Sequence, residues 1–500
     1  MAAPVVSLKG VDGFEFELPT GLFINNEFVP SVDGLTLDVE NPATGETLTT
    51  IASASANDID RAVAAAQAAL PAWRAVPPLG KSKLLWKLAE LLEKPENQKV
   101  FHAIDVLDVG APPIMMGLSL GQCVDNLRYF GGWADKITGK TLHVPGGNAY
   151  TLRDPIGVCA GIIPWNTPLM ISIWKLAPAL AAGNTLILKL PELAPLCGLK
   201  LAQLIREAGF PAGVVSVVAG EGAVAGQAIA EHAAIRKVSF TGGGATGRKI
   251  LRAAAGSNMK KVTLELGGKG PSIVFDDAQL ENALMWTFMG FTTHNGQVCV
   301  AGTRIYVQEG IYDRYILAFK QKLAEVVAVS EGAVTPGAAA GKSPVISKLQ
   351  QEKILAYIES GTSEGATLLG GGKKFGDKGY FVQETAFADV KPDAKIMKEE
   401  IFGPVVAIAK FKTEDEVIAA ANDSSYGLNA SIFSSNTDRI RKVSDALEVG
   451  TVTVNCWGAL NMNTPFGGVK ESGYGRDMGE EALEGWTQTK TVTQLHLPTA

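Results

Sequence analysis

A cysteine, an amide, two carboxylates and a glycine-rich turn are the residues of this chain whose types and settings suit covalent chemistry. Cys299 lies in His294-Asn295-Gly296-Gln297-Val298-Cys299-Val300-Ala301-Gly302, where small neighbours let a substrate approach the sulfur. A thiolate there could add to a carbonyl, although a lone cysteine is more often a buried structural thiol. Asn166, in Pro164-Trp165-Asn166-Thr167-Pro168-Leu169, reads either as a helix N-cap or as an amide donor to an oxyanion. Glu265 opens Glu265-Leu266-Gly267-Gly268-Lys269 at the end of a predicted strand, so it is a solvated strand end or a general base. Glu192, just past the strand that ends in Lys189, has the same bland reading of a solvated strand end. Gly242-Gly243-Gly244-Ala245-Thr246-Gly247 matches G-x-G-x-x-G between a predicted strand and a predicted helix. Its backbone N–H groups could hold a pyrophosphate; otherwise it is an ordinary tight turn.

The elements that must position these residues alternate. Strand-like runs at Ile156 to Ile163, Thr185 to Leu190, Val214 to Val218, Ile235 to Phe240 and Val262 to Leu266 are separated by helical patterns. Those patterns cover Leu169 to Ala182, Gly198 to Ala208, Gly222 to His232 and Thr246 to Ala255. Such alternation predicts a parallel sheet with helices on its faces. A second series begins near Pro271, with strands at Ser272 to Phe275, Arg304 to Val307, Val405 to Phe411, Ala430 to Phe433 and Gly450 to Val454. Upstream, a loose start precedes helices at Asp58 to Leu70 and Leu79 to Leu92. Val334 to Pro344 and Gly370-Gly371-Gly372 read as surface loops. Two isolated β-rich segments, Lys140 to Arg153 and Thr487 to Leu497, are expected to pair with each other and, through an exposed edge, with another subunit.

Composition bounds the reading. A chain of 500 residues, 46% hydrophobic and 19% charged, is expected to form two or three domains. A formal net charge of -6 disfavours a nucleic-acid partner, which needs a basic field. The five cysteines include no Cys-x-x-Cys unit, so free thiols in a reducing compartment are expected. The first twenty residues carry Asp12, Glu15 and Glu17 against Lys9 alone, unlike a transit peptide or secretory signal. Pro498-Thr499-Ala500 is no peroxisomal tripeptide. The longest apolar run, near Pro168 to Ala182, is broken by Lys175 and Pro178 and is short for a membrane span. The expected location is cytoplasmic, with no membrane partner.

As a set, these segments resemble the aldehyde dehydrogenase superfamily from about Phe23 onward. The resemblance rests on Pro164-Trp165-Asn166, Lys189 with Glu192, Phe240-Thr241-Gly242 with Gly247, and Glu265-Leu266-Gly267-Gly268-Lys269. It continues through Gly296-Gln297 before Cys299, Glu400-Ile401-Phe402-Gly403-Pro404, and Pro465-Phe466-Gly467-Gly468 with Ser472-Gly473. Length and flanking segments are most similar to the broad-specificity, NAD-dependent, tetrameric branch. The implied fold is α/β, with two α/β lobes built on parallel-type sheets, one Rossmann-like and one catalytic, plus a small β oligomerisation extension. The implied division is residues 1–139 and 157–270 for NAD, 271–484 for catalysis, and 140–156 with 485–500 for oligomerisation. A homo-oligomer, tetramer before dimer, follows.

The same resemblance implies that Cys299 is the nucleophile, Glu265 the general base, and Asn166 with the Cys299 backbone N–H the oxyanion hole. It places Trp165, Gly222, Gly242, Gly243, Gly247 and Leu266 along the cofactor, Lys189 and Glu192 on the adenine ribose, Glu400 on the nicotinamide ribose and Phe402 near its ring. The implied reaction is oxidation of an aldehyde to a carboxylic acid with NAD and water, through a thiohemiacetal and a thioester, with no metal. An approach tunnel is implied near Thr167, Trp174, Met289, Thr293, Trp457, Leu460 and Phe466. Gly243 stands where the family usually has a phosphate-binding Ser, Thr167 where a Phe is common, His294 where an Asn is common, and Gln488 where many relatives have a Glu.

Other readings compete. A cofactor-independent cysteine hydrolase leaves the nucleotide-like segments without a purpose. A noncatalytic protein that kept the fold would have no need of Cys299, Glu265 and Asn166 together. A CoA-acylating relative would lose its thioester to a water-activating Glu265. Glu265 itself carries two readings, because it ends the strand after Gly247, where a G-x-G-x-x-G fingerprint puts the acid that binds ribose. The family resemblance gives the ribose to Glu192 and the water to Glu265.

Overall fold

Short β-branched runs that are apolar on both faces form the centre of the fold, because a strand covered by helices on each side has no polar face to show. The computed structural model describes residues 4–332 and 343–496. Expected loop positions 334–342, Leu497 and the final tripeptide lie outside the described residues.

The first sheet has eight strands, of which five run parallel. Their spatial order is Lys261–Glu265, Lys237–Thr241, Val158–Ile162, Thr185–Lys189, Val215–Val218. The chain therefore starts in the middle, winds out to Val215–Val218, and returns on the other side at Lys237–Thr241. That reversal opens a crevice beyond the carboxyl ends of the strands. One face packs Leu186, Leu188, Val215 and Val217 into a core shared with helices Pro168–Ala181 and Leu196–Ala208. The other packs Ile187, Val218, Val238 and Phe240 against helices Ala56–Ala75 and Gly244–Gly256.

A second sheet of seven strands begins at Pro271–Val274, directly after the first sheet ends its parallel run. Its neighbours are Arg304–Gln308, Val405–Phe411, Asn429–Phe433 and Thr451–Val454, all parallel. Two further strands, Thr385–Ala388 and Thr367–Gly370, complete it and were not expected from the sequence. Each has only four residues, too few for a periodic signal. Gly370 thus ends a strand, while Gly371 and Gly372 turn the chain at φ 78 and 96.

The two isolated β segments pair as expected. Thr487–Leu495 runs antiparallel to Gly147–Pro155, from Thr487 opposite Pro155 to Leu495 opposite Gly147, and Thr141–Val144 adds a third strand. Gln488 stands opposite Asp154 in this ladder.

The expectation of a loose start needs correction. Val5–Lys9 pairs with Glu15–Pro19, Leu22–Ile24 joins the first sheet, and Thr36–Asn41 pairs with Glu46–Ala52. Asp58, fully buried, accepts hydrogen bonds from the Ser31 hydroxyl at 2.8 Å, the Val32 N–H at 3.1 Å and the Ser55 N–H at 3.1 Å. One carboxylate thus ties the leading segment to the first helix. The segment Gly222 to His232 also differs, as a π-helical turn at Gly222–Gly226 followed by a short α-helix at Gln227–Glu231. Among the described residues no helix is long and apolar enough to cross a membrane.

Candidate active site

Every candidate residue from the first sheet sits at the carboxyl end of a parallel strand or in the turn beyond it. Trp165 and Asn166 follow Val158–Ile162, Glu192 follows Thr185–Lys189, and Gly222 follows Val215–Val218. Gly242 and Gly243 follow Lys237–Thr241, and Glu265 is the last residue of Lys261–Glu265. Helix Gly244–Gly256 starts here with Gly243 as its N-cap, turning free backbone N–H groups toward the crevice.

Cys299, Glu265 and Asn166 line one cavity of about 630 Å³, shared with Trp165, Gly242, Gly243, Leu266, Glu400 and Phe402. All seven expected tunnel residues, Thr167, Trp174, Met289, Thr293, Trp457, Leu460 and Phe466, line it too. Lys189, Glu192 and Gly222 form a separate group along the crevice. The Lys189 ammonium is 3.0 Å from the Glu192 carboxylate, and a Cβ on Gly222 would stand 3.7 Å from the same carboxylate. Gly247 lies beneath Leu266, whose side chain would be 3.0 Å from an added Cβ.

The cysteine loop is held at both ends. Helix Leu280–Thr292 runs into a turn in which His294 and Asn295 adopt left-handed φ values of 50 and 54. Asn295 donates to the Pro344 carbonyl at 3.1 Å, and the Gln297 side chain donates to the His294 carbonyl at 3.2 Å while accepting from the Ile346 N–H at 2.9 Å. Beyond the sulfur, the Val300 carbonyl accepts from Asn429 at 3.0 Å and from the Trp457 indole at 2.8 Å. Asn166 Nδ2 donates to the Gln297 carbonyl at 2.9 Å. That bond uses one amide hydrogen and leaves the second for a ligand.

Two glycines let the acids approach. A Cβ on Gly267 would fall 2.1 Å from the Glu400 carboxylate, and one on Gly268 would fall 2.5 Å from the Cys299 carbonyl. The Gly268 N–H donates to Glu400 Oε1 at 3.0 Å. Phe402 has a left-handed φ of 57 and meets Trp165 edge to face, with ring centroids 5.4 Å apart.

Burial sets the electrostatics. Glu265 is 5% exposed, and neither of its carboxylate oxygens has a hydrogen-bond partner among the described residues. Burial first, then the Asp477 charge, pushes its pKa well up, while Lys175 and Arg476 pull it down. Lys175 and Asp477 are themselves a buried ion pair at 2.5 Å. Burial also raises Glu400. Cys299 is half-buried where it opens onto the cavity, and burial with the nearby Glu400 and Glu265 carboxylates pushes its thiol up to about 12. Burial therefore favours the proton-bearing form of the thiol and of both carboxyls relative to water.

Several lining residues carried no signal in the sequence. Gln350 and Lys353, on helix Lys348–Ser363, reach the cavity beside Glu400, and Lys353 draws the Glu400 pKa down. Met115, Leu118, Ser119 and Gln122 line it from helix Pro113–Trp133 at spacings of three and four residues, which mark a helix face and no chemistry. The Lys175–Asp477 pair joins residues whose separation in sequence hides it.

The crevice fits a dinucleotide. A Cβ on Gly243 would meet nothing within 4 Å, so the turn has room for a bound group, and the Thr241 hydroxyl beside it is buried without a partner.

A doubly wound crevice that opens onto a cysteine and an unpartnered buried carboxylate defines a nucleotide-binding α/β enzyme architecture. The chain belongs to the aldehyde dehydrogenase family, whose model matches residues 28–492. It is 49% identical over 490 residues to an aldehyde dehydrogenase of Davidiella tassiana, covering 98% of each chain. The NAD+ complex structure of aldehyde dehydrogenase from Bacillus cereus superposes with a TM-score of 0.92 at 41% identity, over 95% of this chain and 96% of that one. A mutant of the P. syringae indole-3-acetaldehyde dehydrogenase AldA, in complex with NAD+ and IAA, gives a TM-score of 0.93 at 34% identity, over 96% and 97%.

A thiol raised this far is mostly protonated at neutral pH, and the thiolate fraction grows with pH. Iodoacetamide labelling of the cofactor-free protein at Cys299 is expected to be slow at pH 7 and to rise about tenfold per pH unit toward pH 9. Cys123, Cys159 and Cys197, fully buried, stay unlabelled. Mass spectrometry of the labelled peptides checks this, and a flat, fast rate at Cys299 from pH 6 upward would contradict it.

Proposed function

We propose that this protein oxidises an aldehyde to a carboxylic acid with NAD and water, and that Cys299, Glu265 and Asn166 carry the chemistry. The single observation that carries this reading is the convergence of those three side chains on one cavity continuous with the Gly242–Gly243 end of the crevice. NAD bound in that crevice supplies the hydride acceptor. Trp165, Gly242, Gly243, Gly247 and Leu266 shape its seat, with Lys189, Glu192 and Gly222 at the adenine ribose end and Glu400 and Phe402 at the nicotinamide end.

The chain's own residues account for the rest. The Cys299 thiol gives its proton to solvent water, the sulfur adds to the aldehyde carbon, and the new alkoxide is met by the free Asn166 N–H and the Cys299 backbone N–H. Loss of hydride from that carbon leaves a thioester on Cys299. Glu265, whose burial raises its proton affinity, takes a proton from water as the water attacks the thioester. The acid leaves, and the sulfur regains a proton.

The charged lining residues Glu265, Lys353 and Glu400 are tied to the thiol or the crevice, whereas the tunnel is Trp, Met, Leu, Phe and Thr. Uncharged aliphatic or aromatic aldehydes suit it. Five unpaired cysteines suit a reducing cytoplasm. Lobes at residues 1–139 with 157–270 and at 271–484 are the proposed division, which the two sheets support except that Gly473–Tyr474 pairs into the first, and residues 140–156 with 485–500 would serve assembly.

Absorbance at 340 nm on mixing protein, NAD and a panel of aldehydes tests the activity. Glu265→Gln is expected to lower kcat by about 10²–10⁴-fold, with a burst of NADH and little change in NAD affinity. Sharply weakened NAD binding with normal thioester hydrolysis would make Glu265 a ribose ligand. NAD is expected to give a higher kcat/KM than NADP, because the Glu192 carboxylate repels a 2′-phosphate, and Glu192→Ser should narrow the ratio. Equal values in the wild type would remove that role. Thr487–Leu495 is exposed over most of its length and ends its sheet, so it suits pairing with another copy, in a homotetramer. Sedimentation that finds a monomer at every concentration would exclude this.

A further inference from the structure

Beside the oxyanion amide lies a second, much smaller space. It measures about 10 Å³, and its polar lining is Asp105, Ser119, Asn166, Thr167 and His294. That volume suits one water molecule, and a buried water needs two to four polar partners. Asn166, Thr167 and Ser119 line the large cavity as well, so they form a shared wall between the two spaces.

His294 is the unusual member. It is 3% exposed, and neither ring nitrogen makes a well-formed hydrogen bond among the described residues; the Asn166 backbone is the one group near enough for a loose one. Buried side-chain polar atoms are nearly always matched, so an imidazole with at least one open nitrogen needs a reason to be there. Its backbone is held at a left-handed φ of 50, which fixes the direction in which the ring leaves the loop. Two hydrogen bonds connect it to the oxyanion amide: Gln297 donates to the His294 carbonyl at 3.2 Å, and Asn166 donates to the Gln297 carbonyl at 2.9 Å.

We infer that the small space holds one ordered water bridging the His294 imidazole to Asp105 and Ser119, and that His294 thereby acts as a positioning residue for the Asn166 amide. Burial lowers the His294 pKa to about 4, while the loose hydrogen bond with the Asn166 backbone pulls the other way. The ring is then neutral, with one donor and one acceptor nitrogen, as a bridging water requires. Asp105 starts the π-helical turn Asp105–Val109, an element found often at functional sites, and burial raises its carboxyl to about 7. A carboxyl that keeps its proton near neutrality can share a water with a neutral imidazole without stranding a charge.

The inference rests on the dehydrogenase reading, so its tests include one that does not need turnover. A crystal structure of the wild-type protein at a resolution that shows ordered waters is expected to place one between His294, Asp105 and Ser119; a dry space there overturns the proposal. His294→Leu, which removes both nitrogens, is expected to lower kcat about tenfold while KM and the Kd for NAD stay near wild type. His294→Asn, which tolerates left-handed backbone and keeps a donor and an acceptor, is expected to recover most of the loss. Asp105→Leu approaches the same water from the other side and serves if His294→Leu fails to fold. Wild-type kcat in both leucine variants, or no recovery with asparagine, counts against a positioning role. A wild-type protein that forms no NADH with any aldehyde defeats the dehydrogenase reading instead, and the crystallographic test still decides the water.

Discussion

The site depends on two residues without side chains, where the chain crosses from one sheet to the other. Gly267 and Gly268 lie between the strand ending at Glu265 and the strand starting at Pro271, and four distant segments press on them. The Glu400 carboxylate occupies the space over Gly267, and the Cys299 carbonyl occupies the space over Gly268. The Ser472 hydroxyl donates to the Gly267 carbonyl at 2.7 Å, while the Leu266 N–H donates to the Ser472 carbonyl at 2.9 Å. Arg304, buried, donates to the Lys269 carbonyl at 2.8 Å. Motifs that stand far apart in the sequence are therefore faces of a single contact, and a methyl group at either glycine would force the Cys299 loop and the Glu400 segment away from this crossing. Close packing leaves no slack for such an insertion.

That density has an electrostatic consequence. Glu265, Glu400 and Cys299 are all drawn away from water, and each responds by holding its proton more tightly. Lys175 and Asp477 supply buried charge beside Glu265, but as a pair they nearly cancel and cannot fully hold a carboxylate ionised. Breaking that pair would leave one charge buried alone, at a cost of about 3–5 kcal/mol. A carboxyl whose burial raises its proton affinity is better suited to taking up a proton than one locked in an ion pair.

Much of this architecture was legible in the sequence, for identifiable reasons. Strands such as Thr185–Lys189 are buried on both faces, so they appear as unbroken apolar runs, and their alternation with amphipathic helices gave the layers. The pairing of Thr487–Leu495 with the segment near Gly147 could be anticipated because neither had another partner. The leading hairpins could not: Leu22–Ile24 and Glu27–Val29 have three residues each, and the linker at Ser31 and Val32 is held by Asp58 from the first helix. Within the site, Cys299, Glu265 and Asn166 were readable only as a set, because each alone has an ordinary structural explanation. Lys353, Gln350 and the lining face of Pro113–Trp133 were not readable at all. Their residue types are common on helices, and only the fold turns them toward the cavity.

The cavity divides its work between two kinds of surface, and the proposed chemistry gives the reason. Loss of a hydride competes with attack by water, so the aldehyde side benefits from apolar walls such as Trp174, Trp457 and Phe466. Hydrolysis of a thioester needs water at one place and at one time. Glu265 is a carboxylate with both oxygens unmatched at the edge of that apolar chamber, so a water entering there has a buried acceptor waiting. An acid already bound to the chain would have to break a hydrogen bond first, and an exposed one would admit water before the hydride had gone. As the proposed base, a carboxylate that is buried and without a hydrogen-bond partner among the described residues satisfies both demands at once.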